Sequence, residues 1–167
     1  MRWEQRPVEL ANMVNPAFCS MLLHSTIDSF YKKTQFGLDY SLAFLVLPLV
    51  LHRPTREAVP LKPRSSLPDW VNVNRQKLAL FPGRAQQLVP YTREALMFGI
   101  QQGFIEISNE GRNVGKLKPT SMVLRPVPEW HQGSEPLDCA RKARIIGDWF
   151  AEYGDGSVLF QLFGVRP

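Results

Sequence analysis

The final stretch of the chain is strongly apolar, and this feature constrains the fold more than any other. Residues 157–167 carry the large apolar side chains Val158, Leu159, Phe160, Leu162, Phe163 and Val165. The end of a chain is usually polar and frayed. A tail of this composition must therefore be buried, either in its own core or against a partner. It also carries no group that could do chemistry, which favours an assembly component over an enzyme.

Two residues predict that this tail is a short helix. Ser157 is a good N-cap and Gly164 suits the position just after a helix end, so we expect a helix over residues 158–163. A helix this short is not stable alone. It must dock on the domain's own helices or in a partner's groove. The predicted partner-binding residues are Val158, Leu159, Phe160, Leu162 and Phe163.

The bulk composition is that of an ordinary globular protein. At 167 residues, with 44% apolar and 21% charged residues, the chain can bury a core as one compact domain. Its net charge of +5 permits contact with nucleic acid or an acidic protein, but the basic residues are dispersed. The N-terminus lacks a signal-peptide pattern, and the longest apolar run is shorter than the roughly 20 residues a membrane span needs. We expect a soluble cytoplasmic protein without membrane contact.

The first third of the sequence predicts two helices. Asn15 and Pro16 form a helix start, and the helix should end near Thr34, with a short helical turn over residues 8–14 before it. Ser41 is expected to cap a second, buried helix over residues 42–52 that contains Pro48. A strand is the alternative for this short apolar run. The proline-rich residues 53–68 are expected to be a surface connection.

The middle of the chain follows the order of a winged helix-turn-helix unit. We expect helices over residues 67–74, 82–88 and 90–102, a strand over 104–107, a loop over 108–115 and a return strand over 116–120. The last of these helices would be the recognition helix, and the hairpin would be the wing.

The C-terminal part is expected to hold one long helix after an irregular stretch at residues 125–136. Asp138 would cap this helix, and Cys139, Ala143, Ile146, Gly147 and Phe150 would form its buried stripe, with a close backbone approach at Gly147. The fold class is therefore mainly α with a small β-hairpin (α+β). We divide the chain into residues 1–60, a winged-helix-like part at 61–125, and 126–167, within one compact domain.

No motif in the sequence predicts a reaction. His24, His52 and His131 have no spacing typical of metal ligands, and nucleotide-binding and nucleophile-elbow motifs are absent. Cys19 and Cys139 lie in apolar helical patterns and are expected to be buried free thiols. We therefore predict no catalytic residue, no cofactor and no metal, and a protein that is not an enzyme.

Binding to nucleic acid is the main alternative to a role in protein contact. The candidate wing carries Arg112, Lys116 and Lys118, and the candidate recognition helix carries only Arg93. A recognition face normally needs more charge to neutralise phosphates. The sequence therefore favours a scaffold for protein contact, with these four residues as the nucleic-acid candidates.

Several short segments resemble one family in order along the chain. They are residues 6–12 (RPVELAN) with 15–19 (NPAFC), 43–48 (AFLVLP) with 51–58 (LHRPTREA), 89–96 (VPYTREAL) and 164–167 (GVRP). They are similar to the middle component of three-component ABC-ATPase systems. The resemblance implies a small adaptor that links an SMC/Rad50-like ABC ATPase subunit to a third, effector-type component in bacterial defence against phage. It supplies no catalytic residues. A winged-helix DNA-binding regulator is the alternative function.

Overall fold

The structure is a computed structural model, and it describes residues 14–62, 65–110, 113–125, 130–153 and 156–166. It is mainly helical with a small antiparallel sheet, as the sequence predicts. The helices are α1 (Pro16–Thr34), α2 (Ala43–Val50), α3 (Arg53–Ala58), α4 (Leu67–Val73), α5 (Arg75–Leu78), α6 (Phe81–Gln101), α7 (Glu135–Tyr153) and α8 (Gly156–Leu162). The strands are β1 (Leu38–Asp39), β2 (Ile105–Glu110) and β3 (Asn113–Pro119). The turn predicted over residues 8–14 lies outside the described residues except for Val14.

Helix α1 lies at the centre of the fold, with α7 and α6 packed against it. It begins as predicted, because the Asn15 side chain accepts hydrogen bonds from the backbone N–H groups of Ala17 (2.9 Å) and Phe18 (3.3 Å). Its buried residues include Leu22, Leu23 and Ile27. These side chains form the middle of the hydrophobic core.

The contact between α1 and α7 is close at Gly147, as the sequence predicts. A Cβ atom at this position would lie 2.4 Å from the carbonyl oxygen of Thr26. The Thr26 hydroxyl donates to the carbonyl oxygen of Ala143 at 2.8 Å, which ties the two helices together. The predicted stripe Cys139, Ala143, Ile146, Gly147 and Phe150 is buried throughout.

The second helix forms, but not with the predicted ends. A 3-10 turn over Tyr40–Leu42 runs directly into α2, and Ser41 makes no capping hydrogen bond. The helix ends at Val50, and Pro48 lies inside it. The prediction of a Ser41 cap is therefore wrong, because the preceding turn already supplies helical geometry at this end.

The segment over residues 53–68 is not simply a surface connection. Its first half is helix α3, which tolerates Pro54 because proline fits the first turn of a helix. Thr55, Arg56 and Val59 are buried. The sequence misled here because an arginine among prolines is usually exposed. The helix predicted over residues 67–74 is confirmed as α4, with Ser66 as its N-cap.

Residues 81–101 form one helix instead of the two predicted over 82–88 and 90–102. Helix α6 runs without interruption through Pro90. Proline removes one hydrogen bond from the helix, but Pro90 is exposed, so water can satisfy the freed carbonyl group. The predicted turn between residues 88 and 90 is therefore wrong, and no helix-turn-helix lies there.

The hairpin is confirmed, and a third strand joins it. In the β2–β3 pair Glu106 lies opposite Lys118 and Ile107 opposite Leu117, and a β-bulge lies at Ser108/Asn109. Strand β1 pairs with β3 through Leu38 and Leu117, so the sheet order is β1-β3-β2. Strand β1 was not predicted, and part of the predicted loop over residues 108–115 belongs to the strands.

The C-terminal helices close the core. Helix α7 begins at Glu135, so Asp138 lies in its first turn and is not its cap. The rings of Trp149 and Trp70 lie 5.2 Å apart, and the Trp70 indole N–H donates to the Ala58 carbonyl at 2.8 Å. One buried cluster includes residues from all three parts into which the sequence was divided.

Candidate partner-binding groove

The C-terminal tail docks on the chain's own helices. Leu159, Phe160 and Phe163 are buried, and the ring of Phe163 lies 5.0 Å from that of Phe81 in α6. Helix α8 spans Gly156–Leu162, two residues earlier at its start than predicted. Of the two predicted arrangements, docking on the domain's own helices or in a partner's groove, the structure shows the first.

The end of α8 turns as predicted at Gly164. The N–H of Gly164 donates to the Gln161 carbonyl (3.1 Å) and that of Val165 to the Phe160 carbonyl (2.9 Å). Gly164 has a φ of +65°, which glycine adopts without strain. This turn brings Val165 and Arg166 back toward α6.

A groove of about 540 Å³ lies beside this tail. Its walls come from the 3-10 turn and α2, from α6, and from the chain end. It is lined by Tyr40, Ser41, Phe44, Leu45, Pro82, Ala85, Gln86, Val89, Arg93, Phe160, Val165 and Arg166. The rings of Tyr40 and Phe44 meet edge to face with 5.2 Å between centroids. The groove therefore offers an apolar floor with aromatic side chains on one wall.

The charge of the groove is positive. Arg93 and Arg166 both line it and are exposed, and no carboxylate of the described residues lines it. Neither arginine makes an ion pair within the part of the chain that the structure describes. The groove can thus bind a segment that combines an apolar side chain with a carboxylate.

The predicted partner-binding residues differ in accessibility. Val158 is 42% exposed and Leu162 is half-buried, whereas Leu159 and Phe163 lie in the core. Phe160 is 7% exposed, at the groove. Partner binding by this segment stays a prediction, and in this conformation it would involve Val158, Leu162 and the exposed edge of Phe160.

The predicted nucleic-acid residues do not share one cavity. Lys116 pairs with Asp39, and it lines a cavity of about 490 Å³ together with Lys118. Arg93 lines the groove instead. Arg112 lies outside the described residues. Phosphate binding by these residues also stays a prediction.

A buried arginine that sequence reasoning missed joins three helices. Arg56 is 3% exposed, and its guanidinium donates to Glu135, to Asp138 (3.1 Å) and to the Val50 carbonyl (2.9 Å). No sequence signal could have found it, because its partners lie about 80 residues away along the chain. This network holds α3 and α2 against α7.

The two cysteines are poor nucleophiles. Burial raises the pKa of Cys19 to about 12 and that of Cys139 to about 11, and neither cysteine forms a disulfide. A thiol with such a pKa is protonated at neutral pH and does not react readily. Burial also lowers the pKa values of His24 and His52, which favours the neutral form of both rings.

Among the described residues, no group of three or more His, Cys, Asp or Glu side chains is arranged to hold a metal ion. No described helix has both the length and the apolar composition that a bilayer crossing requires.

The comparison with protein families gives one match that covers nearly the whole chain. Residues 3–167 match the family described as ABC-three component (ABC-3C) system Middle Component 3. No curated protein and no solved structure matches the chain.

Proposed function

This chain belongs to the Middle Component 3 family of ABC-3C systems, and we propose that it is the adaptor between the ABC ATPase and a third, effector-type component. The match over residues 3–167 carries the proposal, because it includes every described element of the fold. The proposed setting is a bacterial cytoplasmic defence system against phage. In it the adaptor binds proteins and catalyses no reaction, which is consistent with two buried, unreactive thiols.

We assign the groove beside the C-terminal tail to one of these partners. Its apolar floor and the exposed guanidinium groups of Arg93 and Arg166 fit a partner segment with an apolar anchor next to Asp or Glu. The buried anchor would supply most of the affinity, and the arginines would orient the segment.

Co-expression of the three components tests the adaptor role directly. We expect a stable complex that contains the ATPase, this chain and the third component. The role would be refuted if this chain purified alone while the other two associated without it.

A charge-reversed pair of variants tests the groove separately. Arg93→Glu should weaken co-purification with one partner by about tenfold, because it places a carboxylate where an acidic segment binds. Arg75→Glu is the matched control, since Arg75 is exposed on α5 and does not line the groove. Equal effects of the two variants would remove the groove from the proposal but leave the adaptor role intact.

The sheet topology favours a second candidate, a winged-helix DNA-binding regulator. A short strand follows the first helix and pairs with the last strand of the hairpin, and the hairpin directly follows the long helix α6. This order of elements is typical of winged-helix domains. In this alternative Lys118 and Arg112 would contact phosphate, and α6 with Arg93 would face the groove of DNA.

Electrophoretic shift of duplex DNA at low salt tests this candidate. Binding should weaken steeply with salt and should be reduced in Lys118→Glu. No shift by the isolated protein at low salt would reject a regulator that acts alone.

A further inference from the structure

A second cavity lies on the face of the molecule that α1 and α7 form. Its volume is about 340 Å³, within the range of small-ligand sites. It is lined by Met21, His24, Ser25, Asp28, Lys32, Leu124, Arg125, Trp130, Leu137, Ala140, Arg141 and Arg144. None of these residues lines the groove beside the C-terminal tail.

The cavity carries an excess of positive charge. Among the described residues, the lining includes a lysine and three arginines but one carboxylate, that of Asp28, and Lys32 binds it at 2.6 Å. Arg125, Arg141 and Arg144 make no ion pair within the described ranges of the chain. No described carboxylate therefore occupies these three guanidinium groups.

Carboxylates near this cavity already have partners. Glu135 and Asp138 bind the buried Arg56. Asp148 accepts a hydrogen bond from the Ser29 hydroxyl at 2.6 Å and lies 3.6 Å from the Lys33 ammonium. Among the described residues, these acidic groups form no ion pair with the three arginines.

The arginines are placed to act together. Arg141 and Arg144 are three residues apart on α7, so they lie on the same face of the helix with a rise of about 4.5 Å between them. Guanidinium groups bind phosphate oxygens through two parallel hydrogen bonds. Arg141 also lines a neighbouring cavity of about 300 Å³, where three arginines face the carboxylates of Glu57, Glu135 and Asp138, so the excess of positive charge does not extend there.

An aromatic side chain distinguishes this cavity from a simple anion site. The half-buried Trp130 lines it, and the ring of Phe18 holds the indole edge to face at 5.6 Å. His24 also lines it, and its Nε2 atom has no hydrogen-bond partner among the described residues. Proteins that bind single-stranded nucleic acids combine aromatic side chains with basic ones. The aromatic rings stack with bases, and the basic groups contact phosphates.

We propose that this cavity binds single-stranded nucleic acid. Arg125, Arg141 and Arg144 contact successive phosphates, and Trp130 stacks with a base. An acidic protein segment would satisfy the arginines but would not need the indole. The site is independent of the hairpin, of Arg93 and of the adaptor role.

The test is fluorescence anisotropy of a short labelled oligo(dT) with the full-length protein. We expect binding that weakens with salt. A plot of the logarithm of the association constant against the logarithm of the salt concentration should have a slope of about −2, the value for about three neutralised phosphates. The double variant Arg141→Glu/Arg144→Glu should weaken binding by at least about tenfold and reduce the slope. Trp130→Leu should weaken binding with the salt slope unchanged.

Matched controls separate a site from general attraction to a basic protein. Lys62→Glu/Arg75→Glu changes the net charge by the same amount at exposed positions that line neither this cavity nor the groove, and its affinity should stay close to that of the unmodified chain. Melting curves confirm that each variant is folded. The proposal would be overturned by absent binding at low salt, or by equal losses in the two double variants. The proposal would also be overturned if poly-Glu displaced the labelled oligo(dT) as efficiently as unlabelled oligo(dT) does, or if the protein bound duplex DNA as tightly as oligo(dT).

Discussion

Gly147 sets the distance between α1 and α7. Gly147→Ala should lower the free energy of unfolding by about 1–3 kcal/mol, because the added Cβ would meet the Thr26 carbonyl at 2.4 Å and the helices would have to separate. Urea denaturation measures this change. Gly83→Ala is the control, since nothing lies within 4 Å of a Cβ there. The control should keep or slightly raise stability, by less than about 1 kcal/mol. Equal results for both variants would contradict the close packing.

His24 links stability to pH. Burial lowers the pKa of this ring in the folded protein, with Asp28 opposing and Lys32 adding to the effect. In the unfolded chain His titrates near about 6.5, so below that pH the unfolded state binds more protons. The stability should therefore decrease as the pH falls from about 7.5 to about 5.5.

Denaturation curves of His24→Gln at both pH values check this. We expect a smaller pH dependence than in the unmodified protein, because the variant side chain does not titrate. His131→Gln is the control, since His131 is exposed. An undiminished pH dependence in His24→Gln would show that other groups cause it.

At the scale of elements, α8 is held by few side chains. Phe160→Ala should lower the free energy of unfolding by about 3 kcal/mol or more, because it removes a ring that is 7% exposed. Val158→Ala on the same helix should change it by less than about 0.5 kcal/mol, since Val158 is 42% exposed. Thermal melting of both variants measures the difference. Similar melting temperatures would mean that the helix does not dock as described.

Local signals predicted the elements whose stability is local. Asn15 identified the start of α1, and the spacing of Cys139 to Phe150 identified the buried face of α7. The elements that depend on distant residues were missed. Strand β1 exists because β3 pairs with it, and α3 is buried because Arg56 finds carboxylates on α7. Pro90 suggested a break between two helices, but an exposed proline can lie within a long packed helix, as it does in α6.

At the scale of the whole molecule, the groove combines segments that are far apart in sequence. The apolar composition of the tail was enough to predict that it is buried, and Gly164 was enough to predict the turn at the end of α8. The groove itself could not be predicted, because Arg93 and Arg166 become neighbours only when the tail docks beside α6. Without the docked tail, the sequence shows only that Arg93 lies on a helix before a hairpin, and this order suggested a recognition helix.

The tail therefore contributes both to stability and to the groove, and two variants separate these contributions. Deleting residues 157–167 removes Leu159, Phe160 and Phe163 from the core. The melting temperature should fall by more than the roughly 6–12 °C that Phe160→Ala alone should cause, and co-purification with a partner should be lost. Arg166→Glu keeps the buried side chains, since Arg166 is exposed. It should therefore melt normally but co-purify less. A truncated chain that melts and assembles like the full chain would refute both contributions. Normal assembly of Arg166→Glu would limit the tail to a structural role.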